Sequence, residues 1–290
     1  MLTIDPQNTP TKDLHQFLLG CIAPRPIAFA STVDKEGNVN LSPYSFFNCF
    51  GANPPIIIFS PARRGRDNTT KDTYENVKEV GEAVINIVNY PIVEQMSLSS
   101  TEYPKGVNEF EKAGLTQVES VKVKPPRVGE SPAAFECKVL EVKETGTEGG
   151  AGNLVICEVV LAHFNESVLD ADQKIDPYKL DAVARMGGNY YCRAQGDALF
   201  EIPKSLKNLG IGIDNMPDEV KNSTVLTGNN LGRLGNIESL PTETDIKAFI
   251  NSEGLESFKT REEAHLLAKK ELESGNVEKA WKILLATSYK

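Results

Sequence analysis

The sequence predicts an α+β chain, β-rich over residues 1–200 and helical over residues 201–290. Two observations carry this. Short runs of β-prone apolar residues, each closed by turn-forming residues, fill the first two-thirds, whereas beyond about residue 200 the apolar positions recur at helical spacing. The 290 residues, 40% hydrophobic and 24% charged, suffice for one large domain or two modest ones with a real core.

Ile27 to Val33 is apolar and β-prone, and Asp34-Lys35-Glu36-Gly37 follows as a turn with glycine where positive φ is easy. A hairpin results, with Asn38 to Phe47 as its return arm. Pro55 to Ser60 holds three consecutive isoleucines before Pro61 stops it, the pattern of a strand buried on both faces. These three runs predict a sheet core. Thr70 or Asp72 then caps a helix through Tyr74, Val77 and Val80, which share one face, and Gly81 ends it. Ala83 to Val88 is a further strand, residues 91–114 hold two short helices, and Ala134 to Val142 and Leu154 to Phe164 are long strands. Between them, Gly146-Thr147-Glu148-Gly149-Gly150-Ala151-Gly152 has neither the lysine nor the following helix of a phosphate loop, so a flexible hairpin connection is expected.

In the tail, helices are predicted at Thr242 to Ser252, Thr260 to Ser274 and Val277 to Thr287. Thr260-Arg261-Glu262-Glu263 fits the capping box, in which hydroxyl and carboxylate reciprocally satisfy free amides at a helix start. Val277, Ala280, Trp281, Leu284 and Leu285 form an apolar stripe that needs a partner surface. The boundary between the halves falls near residues 196–204, and Gly228 to Asn236 reads as a Gly-rich connection within the tail.

Several function classes are disfavoured. No apolar stretch approaches the roughly 18 residues of a membrane span, and the Met1-Leu2-Thr3-Ile4-Asp5-Pro6 start has no secretory pattern, so a cytoplasmic protein without membrane partners is expected. The net charge is −9, with 26 acids against 19 bases in residues 1–200, a field that repels nucleic acid. Five scattered cysteines without a C-x-x-C pair predict buried reduced thiols, and three dispersed histidines indicate no metal site. One local exception stands out: Arg63, Arg64, Arg66 and Lys71, opposed by Asp67, form a small positive island suited to a phosphate.

A set of motifs then appears in a specific order. Pro24-Arg25-Pro26-Ile27-Ala28-Phe29-Ala30-Ser31-Thr32 is followed by Asn40-Leu41-Ser42-Pro43-Tyr44-Ser45-Phe46-Phe47-Asn48 and Pro54-Pro55-Ile56-Ile57-Ile58-Phe59-Ser60. Lys71-Asp72-Thr73-Tyr74-Glu75-Asn76-Val77, Gly81-Glu82-Ala83-Val84-Ile85-Asn86, Ser131-Pro132-Ala133-Ala134-Phe135-Glu136-Cys137 and Met186-Gly187-Gly188-Asn189-Tyr190-Tyr191 complete it. In order and spacing this resembles the flavin reductase-like family over roughly residues 10–195, and its longer, flavoredoxin-like members most. The resemblance implies a β-barrel with α additions, namely a Greek-key FMN-binding split β-barrel over residues 1–200. It also implies a homodimer with FMN near the subunit interface, reduced by NADH or NADPH or by another donor. The helical extension over residues 201–290 lies outside it.

The residues make chemical sense of that implication. A phosphate dianion needs forked or ammonium donors with hydroxyls and amides, and Ser60, Arg63, Lys71 and Thr73 supply them at a strand end and a helix start. A solvated basic turn is the competing reading. The flavin ring needs apolar walls and a few aimed polar groups, for which Ser31, Thr32, Ser45, Phe46, Phe47 and Asn48 have the right character. Strand alternation keeps Phe46 and Phe47 from sharing one ring, so one of them is expected in the core. Gly188, Asn189 and Tyr190 suit a close backbone approach under an aromatic cover, or else a plain turn. His163 resembles the histidine near the nicotinamide site of some flavin reductases, against a purely structural role.

The function so implied is FMN-dependent oxidoreduction, with NAD(P)H as donor and a protein electron acceptor or monooxygenase downstream. Two other readings stay open: a flavoredoxin-like electron carrier with tightly held FMN, and an FMN-stabilised protein-interaction module using the tail. Against the last stands simple packing of the apolar stripe on its own fold.

Overall fold

The computed structural model describes residues 1–202, 209–253 and 260–289. They divide into two compact units, Met1–Phe200 and Glu201–Lys290. The expected boundary near residues 196–204 runs partly into 203–208, outside the described residues.

The first unit opens with helix α1 (Thr11–Cys21), then strands β1 (Ala28–Val33), β2 (Val39–Tyr44), β3 (Phe47–Ala52) and β4 (Pro55–Phe59). Helix α2 (Asp72–Val80) and strand β5 (Glu82–Ile87) follow, then short helices α3 (Val93–Leu98) and α4 (Glu109–Ala113). A small ladder of β6 (Gln117–Val118) and β7 (Arg127–Val128) precedes the long hairpin of β8 (Ala133–Glu144) and β9 (Asn153–Phe164). Helix α5 (Pro177–Leu180) and the hairpin of β10 (Val183–Arg185) and β11 (Tyr191–Arg193) end it.

Seven antiparallel strands form one sheet in the order β2-β1-β5-β8-β9-β4-β3. Its two outer strands, β2 and β3, are joined by only Ser45 and Phe46. Two residues span only a few ångströms, so the sheet must curl until its ends meet, and the barrel follows from that short corner. Strand β1 is buried along its whole length because both faces are covered. Phe29 packs with Leu41, Met96 and Phe110 on one side, whereas Ala28 and Ala30 join Tyr44, Phe59, Val77, Ile85 and Val155 on the other.

Four local expectations are corrected. The return arm 38–47 breaks after Tyr44, and Phe47 instead begins β3, paired with β4. The triple isoleucine does not lie in a doubly buried strand: Ile57 and Phe59 are buried while Ile56 and Ile58 are half-buried, so β4 has one core face. Neither Thr70 nor Asp72 caps α2. Lys71 occupies the cap without a side-chain bond, and Thr70 donates its hydroxyl to Glu75. Of the five cysteines only Cys137 and Cys157 are buried, in the barrel core, whereas Cys21 and Cys49 are exposed. Gly81 ends α2 with φ 74°, in the left-handed region glycine tolerates.

The second unit comprises α6 (Asp218–Lys221), α7 (Gly228–Leu234), α8 (Glu243–Glu253), α9 (Arg261–Glu273) and α10 (Val277–Ala286). Residues 228–236 were expected to connect, yet they carry α7, because Thr227 and Asn230 form a reciprocal capping box and Leu234 is core. The box at Thr260 and Glu263 starts α9 as the sequence implies. The α10 stripe buries Ala280, Trp281 and Leu284 against Ala264, Ala268, Leu272 and Leu234 within this unit. The Trp281 indole N–H donates to the Leu234 carbonyl at 3.0 Å, which satisfies the one polar atom of that side chain. Among the described residues no helix is long and apolar enough to cross a membrane.

Candidate functional site

One end of the barrel gathers most of the chemistry-bearing residues. The Tyr44 hydroxyl donates to Thr73 Oγ1 at 2.8 Å, which sets the start of α2 against the end of β2. The next residues form the Ser45-Phe46 corner, and the Phe46 carbonyl accepts from the Ser60 amide at 2.9 Å. Ser60 Oγ in turn accepts from the Asn153 amide at 3.0 Å, so the end of β4 meets the start of β9. Burial holds the Tyr44 phenol neutral, its pKa pushed up to about 12.

The basic island lies on this rim and is partly consumed by its own loop. Arg63 donates to Asn68 Oδ1 and to the Asn68 carbonyl, both at 2.6 Å. Arg66 pairs with Asp67 and Glu102, each at 3.0 Å, and Arg64 lies 3.4 Å from Glu102. Lys71 differs. Its half-buried ammonium has no hydrogen bond or ion pair among the described residues, and its pKa is lowered by burial first and by Arg64 second. The glycine-rich β8–β9 connection docks on the same loop: Arg63 and Ala151 pair through their backbones, and a Cβ on Gly149 would stand 3.1 Å from the Arg64 carbonyl. That close approach explains a glycine there.

The predicted ring residues divide by face. Ser31 and Thr32 are adjacent on β1 and fully buried, so their side chains point to opposite sides. Thr32 Oγ1 accepts from Asn76 and Asn40, within a network that also joins Asn40 to Thr73. Ser31 Oγ is buried without a hydrogen-bond partner among the described residues. Phe47 packs against the barrel core, whereas Phe46 is exposed and meets the His15 ring edge-on at 6.3 Å. Asn48, exposed on β3, accepts from the Cys49 amide.

Arg25, only 6% exposed, organises the other side of this rim. Its guanidinium donates to Ser45 Oγ, to the Leu19 and Ile22 carbonyls at the end of α1, and to the Met186 carbonyl. The turn carrying Gly188, Asn189 and Tyr190 is thereby tied to the Ser45 corner. Gly188 has φ 59°, Asn189 and Tyr190 are exposed, and a Cβ on Gly187 would meet Gly20 Cα at 3.0 Å. Neither Arg25 nor Asn153 stands out in the sequence as a site residue. The available signal for Arg25 was an arginine between two prolines at a strand entry; for Asn153 there was none.

His163 lies elsewhere. It sits at the far end of β9 from Asn153, ten residues away, roughly 30 Å along an extended strand. Its Nε2 is 2.7 Å from Glu136 Oε1, and Glu136 also accepts the Val121 and Lys122 amides. The structure therefore brings the corner, the Ser60 to Thr73 segment and the 186–190 turn together, and leaves His163 apart within this chain.

The donor set on the rim fits a flavin mononucleotide. An unpaired ammonium beside a guanidinium and hydroxyls suits a dianionic ester, and the exposed Phe46 next to a glycine turn suits an aromatic ring.

A protein of Aquifex aeolicus is 36% identical over 189 residues, 65% of this chain and 94% of its own. The solved structure of nitrilotriacetate monooxygenase component B from Bacillus cereus superposes with a TM-score of 0.65 at 34% identity, covering 70% of this chain and 98% of that one. The Pseudomonas fluorescens 2-nitrobenzoate 2-nitroreductase gives 0.61 at 27% identity, covering 72% and 100%. The flavin reductase like domain matches residues 19–179, and the chain belongs to that family of flavin-binding split barrels.

Proposed function

We propose that this chain is an FMN-dependent oxidoreductase that takes reducing equivalents from NADH or NADPH and passes them to a downstream acceptor. The observation that carries the reading is Lys71, a half-buried cation with no hydrogen bond or ion pair among the described residues and only the more distant charges of Glu102 and Asp72 to offset burial and Arg64, at the helix start that Tyr44 and Thr73 hold against the barrel rim. An ammonium withdrawn from water costs free energy unless an anion joins it. Lys71 and Arg63 hold the phosphate, with Ser60 at the strand end; Thr73, wholly buried with its hydroxyl oxygen accepting from Tyr44 and Asn40, braces the helix start beneath them, and Arg63 keeps its loop in shape through Asn68.

Ser31, Thr32, Ser45, Phe46, Phe47 and Asn48 frame the ring. Phe46 is its wall, Ser45 and Asn48 give polar contacts, and Phe47, Thr32 and Ser31 support the frame from the core. Gly188, Asn189 and Tyr190 cover it. When bound, FMN supplies the chemistry that accepts a hydride and releases electrons. The protein contributes position and exclusion of water. Similarity to a monooxygenase component supports a monooxygenase as acceptor, and a reduced nicotinamide donor is consistent with a cytoplasmic location.

A homodimer is part of this reading. Helix α1 has no buried residue, its Phe17 and Leu18 and the following Ile22 are exposed, and Phe46 and Phe50 are exposed at the corner and on β3. A second copy covers such an apolar surface. The test is a visible spectrum of the purified protein with FMN, followed by anaerobic addition of NADH or NADPH. Flavin binding and rapid bleaching are expected. Tight flavin with only slow bleaching by either dinucleotide would replace the enzyme by a flavoredoxin-like carrier.

A further inference from the structure

Two guanidinium groups on the rim have no anionic partner among the described residues. Arg25 bonds only to neutral oxygens: Ser45 Oγ and the carbonyls of Leu19, Ile22 and Met186. Arg185, half-buried, donates to the Gly188 carbonyl at 2.7 Å and stacks on the Tyr191 ring, 4.6 Å from its centre. The two arginines are joined through their backbones, with amide-to-carbonyl bonds of 2.9 and 2.8 Å, and the Arg185 charge, after burial, depresses the Arg25 pKa. Neither has a carboxylate partner among the described residues. Arg193, on the same hairpin, provides the contrast: Asp181 neutralises it through two bonds of 2.7 Å while it stacks on Tyr90.

Two adjacent like charges, one nearly buried, destabilise a fold unless a ligand compensates them. In a chain of net charge −9 the pair is a local positive spot beside the turn that covers the proposed ring site. A guanidinium fork matches phosphate oxygens, and a planar Arg–Tyr stack keeps it oriented. The flavin phosphate is already accounted for by Lys71 and its loop. The anion that must arrive next to the ring is that of the reductant.

We propose that Arg185, backed by the charge of Arg25, binds the diphosphate of the nicotinamide dinucleotide donor. This rests on the flavin reading above and adds the determinant of donor binding: Arg185 anchors the diphosphate beside the 186–190 turn, which leaves the nicotinamide free to reach the ring. Arg25 acts as a positioning residue, through the Met186 carbonyl and its field.

The test is calorimetric titration of ADP, which carries the diphosphate without the reactive base, into wild type, Arg185→Gln and Arg185→Lys, each with and without FMN. Wild type is expected to bind ADP, to weaken as salt rises, and to release it to NADH or NADPH. Arg185→Gln loses about tenfold in ADP affinity and Arg185→Lys less, while FMN affinity is retained. Wild type that binds FMN but not ADP, or Arg185→Gln that binds ADP as tightly as wild type, overturns the anion site and spares the flavin reading. Wild type that binds ADP but no FMN overturns the flavin reading, and with it the assignment of the anion site to a flavin reductant. Should Arg185→Gln fail to fold, the wild-type titration decides alone: ADP that NADH and NADPH cannot displace ends the proposal.

Discussion

The Glu136 carboxylate, wholly buried, accepts two backbone amides and lies 2.7 Å from His163 Nε2, at the end of β9 opposite the basic loop. Burial raises its pKa, but the Val121 and Lys122 amides and His163 outweigh that, and the net direction is down. A carboxyl with a depressed native pKa stabilises the fold above its unfolded value, and that contribution is lost as pH falls through the native one. His163→Ala removes one of the two partners of Glu136 Oε1 and leaves it the Val121 amide alone. It is expected to cost about 1–3 kcal/mol of stability in urea unfolding followed by circular dichroism, with FMN affinity and NAD(P)H turnover retained. A turnover collapse with stability intact would instead place His163 in catalysis.

Lys71→Met retains the apolar stem of the side chain and removes its charge. Since that ammonium has no hydrogen bond or ion pair among the described residues, and burial and Arg64 outweigh the pull of Glu102 and Asp72 on it, the substitution strands no hydrogen-bonding group and should not destabilise the fold. FMN affinity should fall by roughly 10- to 100-fold, the worth of a charge-assisted contact to phosphate. Riboflavin, which lacks the phosphate, should bind wild type and variant alike. Fluorescence quenching titrations read both.

In the second unit the Ser223 hydroxyl stands 2.7 Å from His265 Nδ1 while its oxygen accepts the Val225 and Leu226 amides. Having spent its oxygen as acceptor, Ser223 donates to Nδ1, which requires a neutral imidazole. Burial first, and Arg261 second, depress the His265 pKa, against the pull of Glu219. A histidine with a depressed native pKa stabilises above its unfolded value near 6.5 and loses that contribution as pH falls below it. The chain has one tryptophan, Trp281, buried in this unit, so its emission reports the unit alone. Thermal melting followed by that emission should drop between pH 7.5 and pH 5, and His265→Gln should flatten the dependence.

Much of this was legible in the sequence where local chemistry dictates geometry. The Asp34–Gly37 turn, the Gly81 stop and the Thr260 capping box each depend on neighbours a few residues away, and each is present. Long-range closure was not legible. Nothing local says that Asn38 to Phe47 must split so that its two parts lie at opposite ends of one sheet, because the corner at Ser45 and Phe46 is fixed by strands up to a hundred residues later. Helix α1 was missed for a related reason: it buries no residue and is anchored through its carbonyls by Arg25, a link that leaves no periodic signal. For the site, residue types near Ser60 to Thr73 were readable from charge. Their division into self-paired arginines and an unpaired Lys71 depends on Asn68, Asp67 and Glu102 folding back.

Arg25 offers the sharpest separation of charge from geometry. Its fork reaches α1, the Ser45 corner and the Met186 turn at once, and a lysine ammonium at the same place retains the charge but cannot span three directions in a plane. Arg25→Lys should therefore leave carbonyls unpaired in a buried setting, at about 1–3 kcal/mol for each group stranded, and loosen the turn that covers the ring. Chemical denaturation followed by far-ultraviolet circular dichroism should show the destabilisation, and FMN should bind more weakly than to wild type. Arg25→Met removes the charge as well. If the hub matters only as a brace, the two variants will lose ADP affinity equally. If the field of Arg25 supports the anion beside it, Arg25→Met will lose more, and the gap between the variants will close as salt is raised.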